Sequence, residues 1–326
     1  MNRGQNKGKG VYKKMDFSKI YQDAIYPIYK GLVRNYWTEE AYFDKDFCIE
    51  SSDVKGALNS IFAEKIGGFN AKLGFFYEKR LALVSDCVNL YGNPSNMRVR
   101  SEFLKDSVNL EVFGEVPERV FELITRFVND TYTKRGVNIE EFNKNLEFFW
   151  NTYLYECKKG STISLKRRID GLMVVTEKGQ SYTYLIESKT KGNMQDDIAK
   201  GCLKRIIESW ILLNIMDYQK GEFVSWDKYR ILIPLNGITS EKENDAFIYP
   251  KYNPNNPLLG GAMPIDVFYK FFFDVFYEEL IKVEKEYSKV TDKLWFESIL
   301  YCVSNLVKSG IMNKNDVQKS IHKYFE

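Results

Sequence analysis

Histidine is almost missing from this 326-residue chain. The single copy, His322, lies near the C-terminal end. Histidine-based triads, His-rich zinc sites and the histidine-dependent nuclease classes all need an imidazole within the active site, and none is at hand. Cysteine is sparse as well: Cys48, Cys87, Cys157, Cys202 and Cys302 are scattered without a CxxC pair. Neither a zinc ribbon nor a disulfide framework is indicated, and buried thiols in a reducing compartment fit better. No apolar run approaches the roughly 20 residues of a membrane span, and the start, MNRGQNKGKGVYKK, lacks the apolar centre of a signal peptide. The expectation is a cytoplasmic protein with no membrane partner. A phosphate loop of the form GxxxxGK followed by Ser or Thr is absent too, so no nucleotide cofactor or translocating motor is expected. Charge of one sign is also lacking. Lys and Arg number 47 against 44 acids, leaving +3, so attraction to an acidic polymer must come from local clustering.

What is present, 44% hydrophobic and 28% charged residues, describes a globular chain long enough for one large domain or two ordinary ones. Any hydrolysis must then rest on carboxylates, lysine and an oxygen-seeking metal such as magnesium.

Residues 1–14 carry five basic groups, three glycines and no acid, and read as a flexible basic tail. From about 17 to 92 the apolar spacing is helical, and residues 1–138 are expected to be mostly helical. Helical spacing recurs over 116–134, and IEEFNKNLEFFWNTYLYEC, 139–157, repeats apolar residues at Phe142, Leu146, Phe149 and Tyr153. After Gly160 the texture changes. TISLKRRIDGLMVVTEKGQSYTYLIESKT reads as two or three strands with a turn at Lys178-Gly179. Asp196 and Asp197 then open a helix with the stripe Ile198, Cys202, Ile206 and Trp210, and YRILIPLNG, 229–237, is a strand of the kind buried on both faces. Residues 245–264 form a polar loop, and 265–326 reads as helix throughout. The fold class is α/β (α+β): a mixed central sheet of four or more strands flanked by helices, its core at 139–240.

Chemistry concentrates in RRID, 167–170, and LIESK, 185–189. Strand side chains alternate, so Glu187 and Lys189 share a face while Ser188 points away. Asp170, at the edge of a bend, can reach that face from the neighbouring strand. Two acids brought together repel, and a divalent cation relieves this. Magnesium takes one or two carboxylates, a backbone carbonyl, here that of Ser188, and waters, leaving positions for phosphate oxygens. A lysine beside it positions or deprotonates the attacking water and offsets charge on phosphorus.

These residues resemble the PD-(D/E)XK nucleases, and among them the type II restriction endonucleases. The resemblance spans 139–237 and rests on Asp170, Glu187 and Lys189 within the order helix, strand meander, helix, strand. It departs from the motif at Ile169, where many members have proline. It implies a magnesium-dependent cut of double-stranded DNA, with manganese a possible substitute, leaving 5′-phosphate and 3′-hydroxyl ends. Asp170, Glu187 and Ser188 would hold the metal. Family members often add an acid from a preceding helix; Glu147, Glu156 and Glu78 are candidates. Glu78 is placed first, because Gly74 one turn earlier leaves room, and this would make 93–138 an insertion. A repair, recombination or mobile-element nuclease of the same fold remains open, as does a DNA-binding protein without activity.

The window 161–193 holds six basic residues against three acids, the clustering a phosphate-binding surface needs. Lys166, Arg167, Arg168, Lys191 and Asn193 are expected to face DNA, extended by Lys200 and Lys204 on the next helix. Base readout would need separate groups, and Asn236 and the asparagines at 253, 255 and 256 could reach groove edges. The rings of FYKFFFDVFYEEL, 268–280, occur almost all round a helix and suggest burial against the sheet or between subunits. A homodimer is expected if both strands of a palindrome are cut.

Overall fold

The structure, a computed structural model, describes residues 16–37, 76–85, 97–103, 110–131, 138–177, 180–189, 196–236, 260–273 and 276–308, with Gly74 and a few positions between 310 and 318. Helix α1 begins at Phe17–Ile20, passes through a π-helical turn, Tyr21–Ile25, and continues as Tyr26–Trp37. Asp16 caps it, its carboxylate accepting from the Lys19 amide at 3.1 Å. Residues 76–85 form α2. There follow β1 (Met97–Phe103), β2 (Leu110–Pro117), α3 (Glu118–Thr131), α4 (Ile139–Glu156), β3 (Thr162–Ile169), β4 (Gly171–Glu177) and β5 (Gln180–Ile186). The chain then runs through α5 (Asp196–Gln219), β6 (Tyr229–Leu235), β7 (Gly260–Pro264), α6 (Ile265–Phe272) and α7 (Tyr277–Lys308).

Five strands form a mixed sheet in the order β1-β4-β5-β6-β7. β4 runs antiparallel to both of its neighbours, β1 and β5, and β6 and β7 join parallel to β5. A parallel neighbour needs a crossover, and the 24 residues of α5 supply it between β5 and β6. β2 and β3 make a separate antiparallel pair. Only Asp170 separates β3 from β4: Ile169 pairs with Leu110 in the small sheet, and Gly171 pairs with Ile186 in the large one. One continuous stretch therefore changes sheets at the aspartate.

Strand alternation feeds two cores. Leu185, Ile231, Ile233 and Leu235 face one side of the large sheet, against α5 and, beyond it, β2, β3, α3 and α4. Tyr184, Ile186 and Leu232 face the other, against α1, α2, α6 and α7. β6 is thus buried on both faces, which explains its nearly unbroken apolar run. Trp210 of α5 has no exposed surface, and its indole N–H donates to the Tyr229 carbonyl at 2.9 Å. Gly114 lets β2 approach α5 closely: a Cβ there would lie 3.0 Å from Cγ2 of Ile215. On α4, Phe142, Leu146, Phe149 and Tyr153 form the buried stripe, and Asn138 caps it by accepting from the amides of Glu140 and Glu141.

Several expectations need correction. The region before 139 supplies two strands, β1 and β2, and the large sheet draws on residues from 97 to 264 rather than 139–240 alone. MRVRSEF and LEVFGEVP alternate apolar residues with charged and polar ones only over a few positions, and their ladders to β4 and β3 make them strands. The polar loop ends in β7, GGAMP, a segment of low strand propensity held by its ladder to β6. The C-terminal helical run breaks at Phe273. Four of its rings, Phe268, Tyr269, Phe272 and Phe273, are buried inside the chain, Phe272 lying edge-on to Tyr184 at 5.6 Å, and Phe271, Phe276 and Tyr277 are partly buried against the same core. The basic tail 1–14 and the Lys178-Gly179 turn lie outside the described residues. Among those described, no helix is long and apolar enough to cross a membrane.

Candidate active site

The antiparallel register that sets Gly171 against Ile186 carries Asp170 opposite the continuation of β5. That continuation remains tied to β6. Glu187 N–H donates to the Leu232 carbonyl and Lys189 N–H to the Pro234 carbonyl, each at 3.0 Å. Because the main chain stays extended, Glu187 and Lys189 share a face, as alternation predicts. Lys189 Nζ donates to Glu187 Oε1 at 2.6 Å and to the Ser188 carbonyl at 3.3 Å. Ser188 N–H donates to Asp170 Oδ2 at 2.6 Å. The sequence-predicted trio therefore does converge, with Glu187 and Lys189 only 13% and 15% exposed in their side chains.

Burial is the main cause that pushes the Asp170 carboxyl well above the usual range, and the charges of Glu187 and Glu78 add to it. Lys189 and the Ser188 amide oppose the rise without cancelling it. Burial alone would pull the Lys189 ammonium down, but Glu187 and Asp170 outweigh it and the net shift is upward. Lys189 is thus a fixed cation at neutral pH, suited to orienting water and offsetting negative charge rather than to taking a proton.

Helix α2, not α4, brings the third acid. Burial raises the Glu78 carboxyl, Lys189 and Arg168 pull it down, and Glu187 raises it further. Three carboxylates close enough to feel one another, beside a backbone carbonyl, suit a hard cation that keeps part of its water shell. Among the described residues no three His, Cys, Asp or Glu side chains form a ready-made metal cage. The protein side of such a site would be two carboxylates and a carbonyl, which magnesium accepts. Glu147 and Glu156 belong to α4, which packs in the other core.

The expected DNA-facing residues divide. Arg168 is exposed on β3 beside the site, and Lys200 is half-exposed on α5. Lys166 pairs with Glu111 at 2.7 Å across the small sheet. Arg167 Nε donates to Glu208 Oε2 at 2.7 Å, and Glu208 is 1% exposed, so this arginine neutralises a buried acid of α5. Lys204 lies over the Phe121 ring at 4.0 Å. Asn236 is 4% exposed and its amide is taken up by Ser188 and Arg80, which removes it from the base readers. Lys191, Asn193 and the asparagines at 253, 255 and 256 lie outside the described residues.

Sequence reasoning missed Arg80, whose guanidinium reaches the Asn236 carbonyl at 3.2 Å. A signal existed: Arg80 falls on the stripe Phe76, Leu81 and Val84, where a charge must find a buried partner. The chain matches no protein-family model, no curated protein and no solved structure.

Proposed function

We propose that this chain is a magnesium-dependent endodeoxyribonuclease acting on duplex DNA, of the type II restriction kind. The observation that carries the reading is the meeting of Asp170, Glu187 and Lys189 where β3 passes into β4. A second feature supports it: taken in order, α2, β1, β4, β5, α5 and β6 give a helix, an antiparallel three-strand meander, a helix and a parallel strand, with residues 104–169 inserted. This is the core order that the PD-(D/E)XK resemblance implies, with Glu78 on its opening helix.

Asp170, Glu187 and the Ser188 carbonyl would hold the ion, with Glu78 as a further carboxylate beside them. Bound there, magnesium would supply Lewis-acid charge at the scissile phosphate and make a bound water more acidic. Lys189 keeps its proton and donates a hydrogen bond to the water or to a phosphate oxygen, easing the charge that grows as oxygen attacks phosphorus. The water oxygen bonds to phosphorus as the bond to the 3′-oxygen breaks; the water's proton passes to solvent and the leaving 3′-oxygen takes one from solvent, giving 5′-phosphate and 3′-hydroxyl ends. In this reading Arg168, exposed on β3, and Lys200, half-exposed on α5, would meet backbone phosphates. Cutting both strands of a palindrome calls for two copies about a twofold axis.

The test is a plasmid digest with and without magnesium. Discrete bands support a site-specific cutter, a smear supports a nonspecific nuclease of the same chemistry, and an unchanged plasmid refutes the enzyme. Lys189→Ala should abolish cleavage and keep magnesium-independent DNA binding; full activity in that variant would overturn the mechanism.

A further inference from the structure

A buried polar chain leads away from the site, into the layer of helices packed on one face of the large sheet. Asn236, at the end of β6, donates from Nδ2 to Ser188 Oγ at 2.6 Å and from its main-chain N–H to the Lys189 carbonyl at 2.8 Å. Its Oδ1 and its own carbonyl both accept from Arg80 Nη2 at 3.2 Å. The amide orientation follows from chemistry. Guanidinium can only donate, so the oxygen must face Arg80 and the NH2 must face the hydroxyl. Arg80 Nη1 in turn lies 3.6 Å from Glu284 Oε1, with the two side chains 10% and 15% exposed. The same oxygen accepts from the hydroxyls of Tyr21 and Tyr269.

The chain therefore links α1, α2, α6 and α7 to Ser188, whose amide meets Asp170 and whose carbonyl meets Lys189. Burying these groups is costly. Arg80 Nε has no hydrogen-bond partner among the described residues, and apolar residues of similar volume would hold the same helices together at lower cost. A network that touches Ser188 and the main chain of Lys189 from one side has a different use, which is to fix their position.

We infer that Asn236 and Arg80 are positioning residues for the candidate site: acting through Ser188, they set the Asp170–Lys189 geometry without touching substrate. The kinetic part of this inference rests on the nuclease reading, because its effect appears as cleavage rate.

The experiment uses the full chain and four proteins: wild type, Asn236→Ala, Ser188→Ala and the double variant. Single-turnover cleavage of a plasmid with saturating magnesium is measured beside DNA affinity without divalent ion, together with the main-chain amide resonance of position 188 in 15N-labelled protein. Positioning predicts that each single substitution lowers the cleavage rate by about tenfold to a hundredfold while DNA affinity stays within about twofold. The double variant should lose no more than the worse single one, because both remove the same link. Multiplying losses, or affinity falling in step with rate, would overturn it. Should Asn236→Ala fail to fold, Ser188→Ala, which deletes one hydroxyl, must show the rate loss alone; an unchanged rate there refutes the inference. If wild type cuts no DNA, the nuclease reading fails separately, and the resonance decides. A Ser188 amide that does not move in Asn236→Ala refutes positioning, and one that moves supports it.

Discussion

Ser188 donates its main-chain amide to Oδ2 of Asp170 at 2.6 Å, across 18 residues of sequence. This bond joins the end of β5 to the point where the chain leaves the small sheet for the large one. It favours the charged carboxylate, yet burial and the neighbouring charges of Glu187 and Glu78 still hold that group well above the usual carboxylate range. The site is therefore electrostatically strained, as a charge-concentrating site tends to be.

Asp170→Asn should stabilise the fold while destroying cleavage. An asparagine oxygen can still accept from Ser188, and the repulsion with Glu187 and Glu78 disappears. At neutral pH without divalent ions, the variant should gain about 1 kcal/mol, a rise of a few degrees in melting temperature. The folded-state pKa of Asp170 lies above its unfolded value, so wild type regains stability as pH falls through the raised value, and the gap between the two proteins closes in acid. Thermal unfolding at neutral and acidic pH checks this. A variant that melts earlier than wild type at neutral pH would show that the charge is not destabilising.

Arg167 and Arg168 should separate into a stability residue and a DNA residue. Arg167→Ala leaves Glu208 without its close partner, with Lys204 Nζ still 4.0 Å away, and should cost about 3 kcal/mol. Arg168→Ala, at an exposed position, should cost less than Arg167→Ala and weaken duplex binding, with a shallower dependence on salt. Chemical denaturation and binding at two ionic strengths distinguish them. A stable Arg167→Ala protein that has lost DNA affinity would reverse the assignment.

Asp217 predicts a pH dependence of the opposite sign. Burial would raise its carboxyl, but hydrogen bonds from Lys228, Tyr229 and Lys220 prevail and hold it below the ordinary value, tying the end of α5 to the start of β6. A depressed carboxylate contributes stability that is fully present above the unfolded value of about 3.9 and lost as pH falls through the folded one. Asp217→Asn should therefore cost about 1–3 kcal/mol at neutral pH, and the deficit should shrink below about pH 4. Urea unfolding at several pH values measures it; a deficit that persists undiminished in acid would rule out the charge as its source.

Much of the site was legible because its signals are local. TYLI followed by Glu, Ser and Lys reads as a strand with an acid and a base on one face, and that alternation survives in the structure because residues 187–189 stay bonded to β6. The identity of the third acid was not legible. Glu78 and Glu147 look alike in sequence, and only the packing of α2 beside the sheet, with α4 in the opposite core, separates them. Arg167 and Arg168 are adjacent and chemically identical, but strand alternation turns one toward a buried glutamate and the other outward.

By itself the sequence determined which chemistries were absent, where helical and strand periodicities lie, and which acids and lysine could share a strand face, because these depend on residue type and on spacings of a few positions. Only the tertiary structure decided that MRVRSEF and GGAMP complete the large sheet, that Asn236 and Arg80 lie beneath the site, and that Arg167 serves Glu208. Backbone hydrogen bonds and buried charges take partners distant in sequence, and spacing along the chain does not encode which partner that will be.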